Sequence, residues 1–167
     1  MRNALLLAML VFFFACNNDD EQTPLGPISD CQFVATPSNN DGRLSDEERD
    51  IIDDCRENSF TTNNEIAANL IGEWELVGFR DGWRGTVTQP CAYIVFENNT
   101  LAFEFHGEDG DFLSVHSWEI ENQWLKVDPP SEYLYMSLFC EQFMHGQQTD
   151  FGVLSTDVDE YIYEKVR

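Results

Sequence analysis

The order of apolar and polar positions divides the chain into an apolar leader, a polar stretch, two short helical patterns and a long series of strands. Ala4 to Phe14 (ALLLAMLVFFF) is an unbroken apolar run. It is too short to cross a bilayer as a helix, but has the length of a signal-peptide core. Residues 17–30 (NNDDEQTPLGPISD) are polar and broken by Pro24, Gly26 and Pro27, as in a tether. In 45–58 (SDEERDIIDDCREN), Ser45 and Glu48 form a capping box. Asp46, Glu47 and Glu48 suit the positive end of a helix, and Ile51, Ile52 and Cys55 make its apolar side. Thr62 to Glu65 repeats the cap and opens a second helix over Asn63 to Leu70, with Ile66, Ala67 and Leu70 on its inner face.

From Gly72 the period changes to two. GEWELVGF, CAYIVFE, TLAFEFH, FLSVHSWEIE, QWLKV, EYLYMSLFC and EYIYEKV read as strands, separated by turns at Asn98-Asn99, 107–110, Asn122 and 128–131. Residues 141–158 are ambiguous, with Phe151 to Leu154 the best strand there. Seven or eight short strands predict an antiparallel up-and-down barrel preceded by two short helices, with a β-sandwich as the alternative. The domain reading is a leader over 1–15, an acidic tether over 16–30, a small helical disulfide-stapled cap over 31–70 and a barrel over 71–167. The inward residues expected to form a pocket or the core are Trp74, Leu76, Tyr93, Val95, Phe103, Phe105, Trp118, Tyr133 and Tyr135.

Composition narrows the function classes. Hydrophobic residues make up 43% of 167, enough for a packed core. The formal net charge is −22, and loss of residues 1–15 deepens it, because Arg2 leaves with no acid. Such a chain repels phosphate backbones, which argues against nucleic acid as a partner. The five cysteines are Cys16, Cys31, Cys55, Cys91 and Cys140. With Cys16 set aside, an even four remain, as suits disulfides in an exported chain. Three pairings are open. Cys31–Cys55 with Cys91–Cys140 is the expected one, since each bridge then stays within one region. The cysteines and histidines lack zinc-site spacing.

Two resemblances add to this. Ala15-Cys16 after the apolar run, followed by NNDDE, resembles a bacterial lipoprotein signal, in which the cysteine becomes the acylated first residue. The acidic residues after it resemble surface-export signals of Gram-negative lipoproteins. NLIGEWELVGF, with Gly72, Glu73 and Trp74, resembles the Gly-x-Trp opening of small bacterial lipocalin-like domains, and the strand order up to YIYEKV is similar over about Ile66 to Arg167. The resemblances imply a lipid-anchored protein of the outer membrane or cell surface, with a barrel closed at one end that takes a small apolar ligand.

Signs of catalysis are few. His106, His116 and His145 lie on separate segments and read as surface or barrel-rim residues. No nucleophile elbow or phosphate-binding glycine loop occurs. One constellation suggests a metal. Anchored on Gly42, residues 37–48 place Asn39, Asp41, the Arg43 carbonyl, Ser45 and Glu48 where an EF-hand loop has calcium ligands, though Pro37 holds the first position. The competing reading of the same residues is a turn that caps the first helix. The expectation is a non-enzymatic binding protein without an obligatory cofactor, taking a small apolar ligand or a protein partner. A structural lipoprotein with a filled barrel and a calcium loop is the alternative, and an enzyme with a barrel-mouth carboxylate a weaker one.

Overall fold

The computed structural model of the chain describes residues 28, 30–33, 37–38, 42–82, 87–108, 110–148 and 158–167. The leader, Cys16 and most of the tether lie outside the described residues, as do Asn39, Asp41 and the strand expected at Phe151 to Leu154. The elements in chain order are β1 (Pro37–Ser38), α1 (Asp46–Glu57), α2 (Asn63–Leu70), β2 (Gly72–Arg80), β3 (Val87–Thr88), β4 (Cys91–Phe96), β5 (Thr100–Gly107), β6 (Gly110–Glu121), β7 (Trp124–Asp128), a 3-10 turn (Glu132–Leu134), β8 (Met136–Phe139), β9 (Phe143–Gln148) and β10 (Asp159–Lys165).

Eight strands form one antiparallel sheet in the order β7-β6-β5-β4-β2-β10-β9-β8, while β1 and β3 make a separate two-residue pairing. The sheet curls into a nearly closed barrel, and the 3-10 turn lies by the seam between its two outermost strands, burying Leu134 there. Curling hides the apolar face that alternation puts on one side of every strand. That face carries Trp74 and Leu76 from β2, Ala92, Ile94 and Phe96 from β4, Leu101, Phe103 and Phe105 from β5, and Tyr161 and Tyr163 from β10.

Both ends of the interior are filled. Helix α2 crosses the end where β2 begins, inserting Ile66 and Leu70 into the core. It is pinned by Asn63, which accepts from the Gln123 N–H at 3.1 Å, and by Asn69, whose side chain donates to the Cys140 carbonyl at 2.9 Å. The Trp74 indole N–H donates to the Leu70 carbonyl at 2.8 Å, so the tryptophan joins α2 to β2. Gly72 just before it has φ +130°, and a Cβ there would overlap the Arg167 carbonyl; only glycine lets the C-terminus close over this corner. At the opposite end Phe103, Phe105, Phe112 and Tyr133 pack together, with ring centroids 4.8–6.3 Å apart.

Helix α1 follows a capping box: the Ser45 hydroxyl accepts from the Glu48 N–H at 3.1 Å, and the Glu48 carboxylate accepts from the Ser45 N–H at 2.6 Å. The helix lies on the outer face of the barrel. There Ile52 and the preceding Leu44 bury against Ile162, flanked by Ile51, Leu138 and Phe143.

Four expectations are corrected. The bridges are Cys31–Cys91 and Cys55–Cys140, with Cα atoms 5.9 and 5.4 Å apart, so each staples an N-terminal segment to the barrel. The other pairing assumed that those segments fold against each other. On β4, Tyr93 and Val95 point outward: Ala92, Ile94 and Phe96 fill the core, and the Tyr93 hydroxyl donates to the Glu73 carboxylate. CAYIVF is apolar throughout, so nothing in it marks which alternate set is inner. Tyr135 likewise stands outside the core between buried Leu134 and Met136, because residues 132–134 form a 3-10 turn in place of the expected strand start. Finally, β9 occupies residues read as ambiguous. FMHGQQ is polar and contains Gly146, but a Cβ there would overlap the Tyr135 carbonyl, so the glycine permits the close approach of the turn.

Candidate functional site

Three places were candidates for recognition. The barrel interior is the first. Trp74, Phe103, Ile94, Leu101, Met136, Met144 and Tyr163 have no accessible surface. Walls of a cavity wide enough for water would keep some. Trp118 and Tyr133 are partly buried against this core, and Leu76 and Phe105 are within it. Among the described residues the interior is packed side chain on side chain around these seven, while Leu76, Leu125, Tyr161 and Phe105 keep 3–8% of their surface and Trp118 and Tyr133 keep more. The Tyr163 hydroxyl lies in it without a hydrogen-bond partner, and burial raises its pKa well above the usual phenol value.

The second place is a hollow of about 470 Å³ beside the Cys31–Cys91 bridge, lined by Asp30, Cys31, Gln32, Phe33, Glu104, His106 and Asp111. Glu104 is buried on the outer face of β5. One oxygen accepts from the Ile28 N–H at 2.8 Å, and the other meets His106 Nε2 at 2.7 Å. His106 Nδ1 lies 3.2 Å from Asp111. The hydrogen bond to Glu104 is the main reason that the His106 pKa is raised, with burial opposing it and Asp111 adding to it. Both imidazole nitrogens and both Glu104 oxygens are thus engaged. The group resembles an acid–base pair in type, but here it fastens the N-terminal segment to β5.

The third place is a groove of about 500 Å³ between α1 and the outer face of β2, β9 and β10. Arg49, Ile52, Asp53 and Arg56 reach it from α1, where the spacing of three, four and seven residues puts them on one face. Arg43 and Leu44 come from the turn before the helix, Arg80 from β2, His145 from β9 and Glu160 from β10. Strand register sets the far wall: Glu160 pairs with Arg80, and His145 with Ile162. The chain has nine lysines and arginines against 31 acids, and four of the nine meet here beside two carboxylates.

The existing ion pairs in the groove are weakly held. Arg49–Asp46 at 3.1 Å and Arg56–Asp53 at 2.6 Å are exposed helix neighbours, contributing about 0.3–0.5 kcal/mol each. Arg80 lies 3.5 Å from Glu160, which also accepts from the Gln147 side chain at 2.7 Å. His145 is only 6% exposed, and its Nε2 has no hydrogen-bond partner. An unsatisfied buried nitrogen costs about 1–3 kcal/mol. Burial lowers the His145 pKa, with Arg56 adding to this and Glu160 opposing it, so the ring is held neutral.

The histidine expectation is therefore corrected: His116 and His145 are buried. His116 lies inside the barrel wall, with Nδ1 2.7 Å from the Pro129 carbonyl and Nε2 2.8 Å from the Ser114 hydroxyl. Of the proposed calcium ligands, Ser45 and Glu48 satisfy each other in the helix cap, Arg43 stands at the groove, and Asn39 and Asp41 lie outside the described residues. Gly42 has φ +69°, as the turn requires. Among the described residues no group of three or more His, Cys, Asp or Glu converges as a metal site.

Sequence reasoning missed the arginine groove. Its residues are spread from 43 to 160, and only the Arg49–Arg56 spacing on α1 hinted at a shared face. No known protein family, curated protein or solved structure matches the chain.

Proposed function

We propose that this is an exported, lipid-anchored, non-enzymatic binding protein whose filled barrel is a scaffold and whose recognition surface lies on its outside. The observation that carries the reading is the packed interior: an apolar ligand inside the barrel would have to displace side chains that leave little accessible surface. Two disulfides, each tying an N-terminal segment to the barrel, support an oxidising compartment. Cys16, at the end of the apolar leader, is the proposed acylation site, and the acidic residues after it support display at the surface of a Gram-negative outer membrane. The resemblance of NLIGEWELVGF to lipocalin-like lipoproteins fits this scheme without the ligand cup.

Two measurements test it. Intact mass of protein extracted from membranes should show a chain beginning at Cys16 with acyl groups attached, and Cys16→Ser should release the protein from the membrane. Native mass spectrometry should show no co-purifying apolar molecule. An unmodified Cys16, or a lipid-like molecule retained by the folded barrel, would overturn the corresponding half of the reading.

A further inference from the structure

We propose that the groove between α1 and the outer face of β2, β9 and β10 binds a small organic phosphate monoester, held by Arg43, Arg49, Arg56 and Arg80, with His145 buried in the wall beside them. The proposal rests on the surface-recognition reading above and names its ligand class.

Three independent observations point the same way. The first is the concentration of guanidiniums. Four of the chain's nine lysines and arginines face this one groove, where Arg49 pairs with Asp46, Arg56 with Asp53 and Arg80 with Glu160. With Asp46 counted, four guanidiniums meet three carboxylates, and a phosphate monoester, carrying between one and a half and two negative charges at neutral pH, competes with those carboxylates for the arginines. The second is the donor type. All four are arginines, whose planar forks suit bidentate contact with oxyanions better than the ammonium of lysine does. The third is His145. Its Nε2 is enclosed, with no partner in the protein, so an incoming oxygen reaches it only when the side chains over it move. The helix pairs Arg49–Asp46 and Arg56–Asp53 are exposed and exchangeable, so both arginines can turn to the ligand. Leu44 and Ile52 give the groove an apolar side. Its volume of about 500 Å³ exceeds what inorganic phosphate needs, leaving room for an organic body.

The phosphate ester has two sources, a soluble metabolite or a lipid headgroup, and the test separates them. The mature protein is titrated with glycerol 3-phosphate by calorimetry. It is also mixed with phosphatidylcholine vesicles with and without phosphatidic acid, and His145 is followed by its imidazole NMR resonances. Saturable one-to-one binding with a shift of the His145 ring is expected. Binding to phosphatidate vesicles alone supports the site with lipid as its source. Arg43→Gln with Arg49→Gln, both exposed and outside the core, should weaken binding at least about tenfold while lowering the melting temperature by no more than about 2 °C, the loss of the Arg49–Asp46 pair. Lys126→Gln, outside the groove, should have no effect. The proposal is overturned by absence of binding in both arms at millimolar ligand, by equal loss in Lys126→Gln, or by tighter binding of a simple dicarboxylate. None of those outcomes touches the filled barrel or the acyl anchor, which are read by mass.

Discussion

Removal of the Cys55–Cys140 bridge gives the sharpest test of how the helices are attached. The bridge closes a loop of 85 residues between α1 and the end of β8. In the chain-entropy treatment, a loop of that length restricts the unfolded state by about 4.5 kcal/mol. The same treatment gives about 4.3 kcal/mol for the 60-residue loop of Cys31–Cys91. The two loops overlap in sequence, so closing the second restricts a chain already restricted by the first. Both cysteines are buried, at 2% and 6% exposure, but alanine removes only one sulfur atom from each site. The double variant Cys55→Ala/Cys140→Ala is therefore expected to lose about 3–4 kcal/mol, within the usual range for native bridges. With a urea slope near 2 kcal/mol per molar, the midpoint should fall by about 1.5–2 M. The assay is urea unfolding followed by far-UV circular dichroism under non-reducing conditions. Alkylation of the single variant Cys55→Ala adds the connectivity: the newly reactive thiol should be Cys140. Labelling of Cys31 instead, or a midpoint loss below about 0.5 M at unchanged slope, would refute the argument that α1 is stapled to the barrel.

Three further outcomes are expected. Tyr163→Phe removes a buried hydroxyl that has no partner, so thermal unfolding should show stability unchanged or raised by up to about 2 kcal/mol, and a loss above about 1 kcal/mol would reveal a partner. Ser45→Ala deletes the cap acceptor for the Glu48 N–H and should lower stability by about 0.5–2 kcal/mol, read from the same urea curves. The two histidines should give opposite pH dependences. His106 has a folded pKa raised above 6.5, chiefly by its hydrogen bond to Glu104, so its contribution is complete below that value and is lost as pH rises through the folded pKa. His145 has a folded pKa lowered by burial, so stability is lost as pH falls below 6.5 towards the folded value. Unfolding across this range should show the deficit of His106→Gln growing with acid, and that of His145→Gln shrinking; parallel curves for the two would contradict the assignments.

Much of the architecture was legible in local pattern. Ser45 with Glu48 and Thr62 with Glu65 announced both helices, because a capping box needs only residues three apart. Alternation placed Trp74, Leu76, Phe103 and Phe105 inside, since each has a polar or exposed neighbour that marks the other face. Where that contrast failed, the reading failed. CAYIVF gave no sign of its inner face, and FMHGQQ carried too little apolar character to read as a strand, although its His145 is buried beneath α1.

Sequence alone determined the acidic charge, the apolar run over residues 4–14, the two caps and the strand-rich body, all of which depend on composition or on neighbours a few residues apart. Only the tertiary structure decided the rest. Cysteine pairing depends on which segments lie against the barrel, and the filled interior on how the side chains of eight strands and α2 share one volume. The arginine groove depends on α1 settling over β2, β9 and β10, which brings residues 43 and 160 to the same place. Each of these is a contact between residues distant in the chain, and no local propensity encodes it.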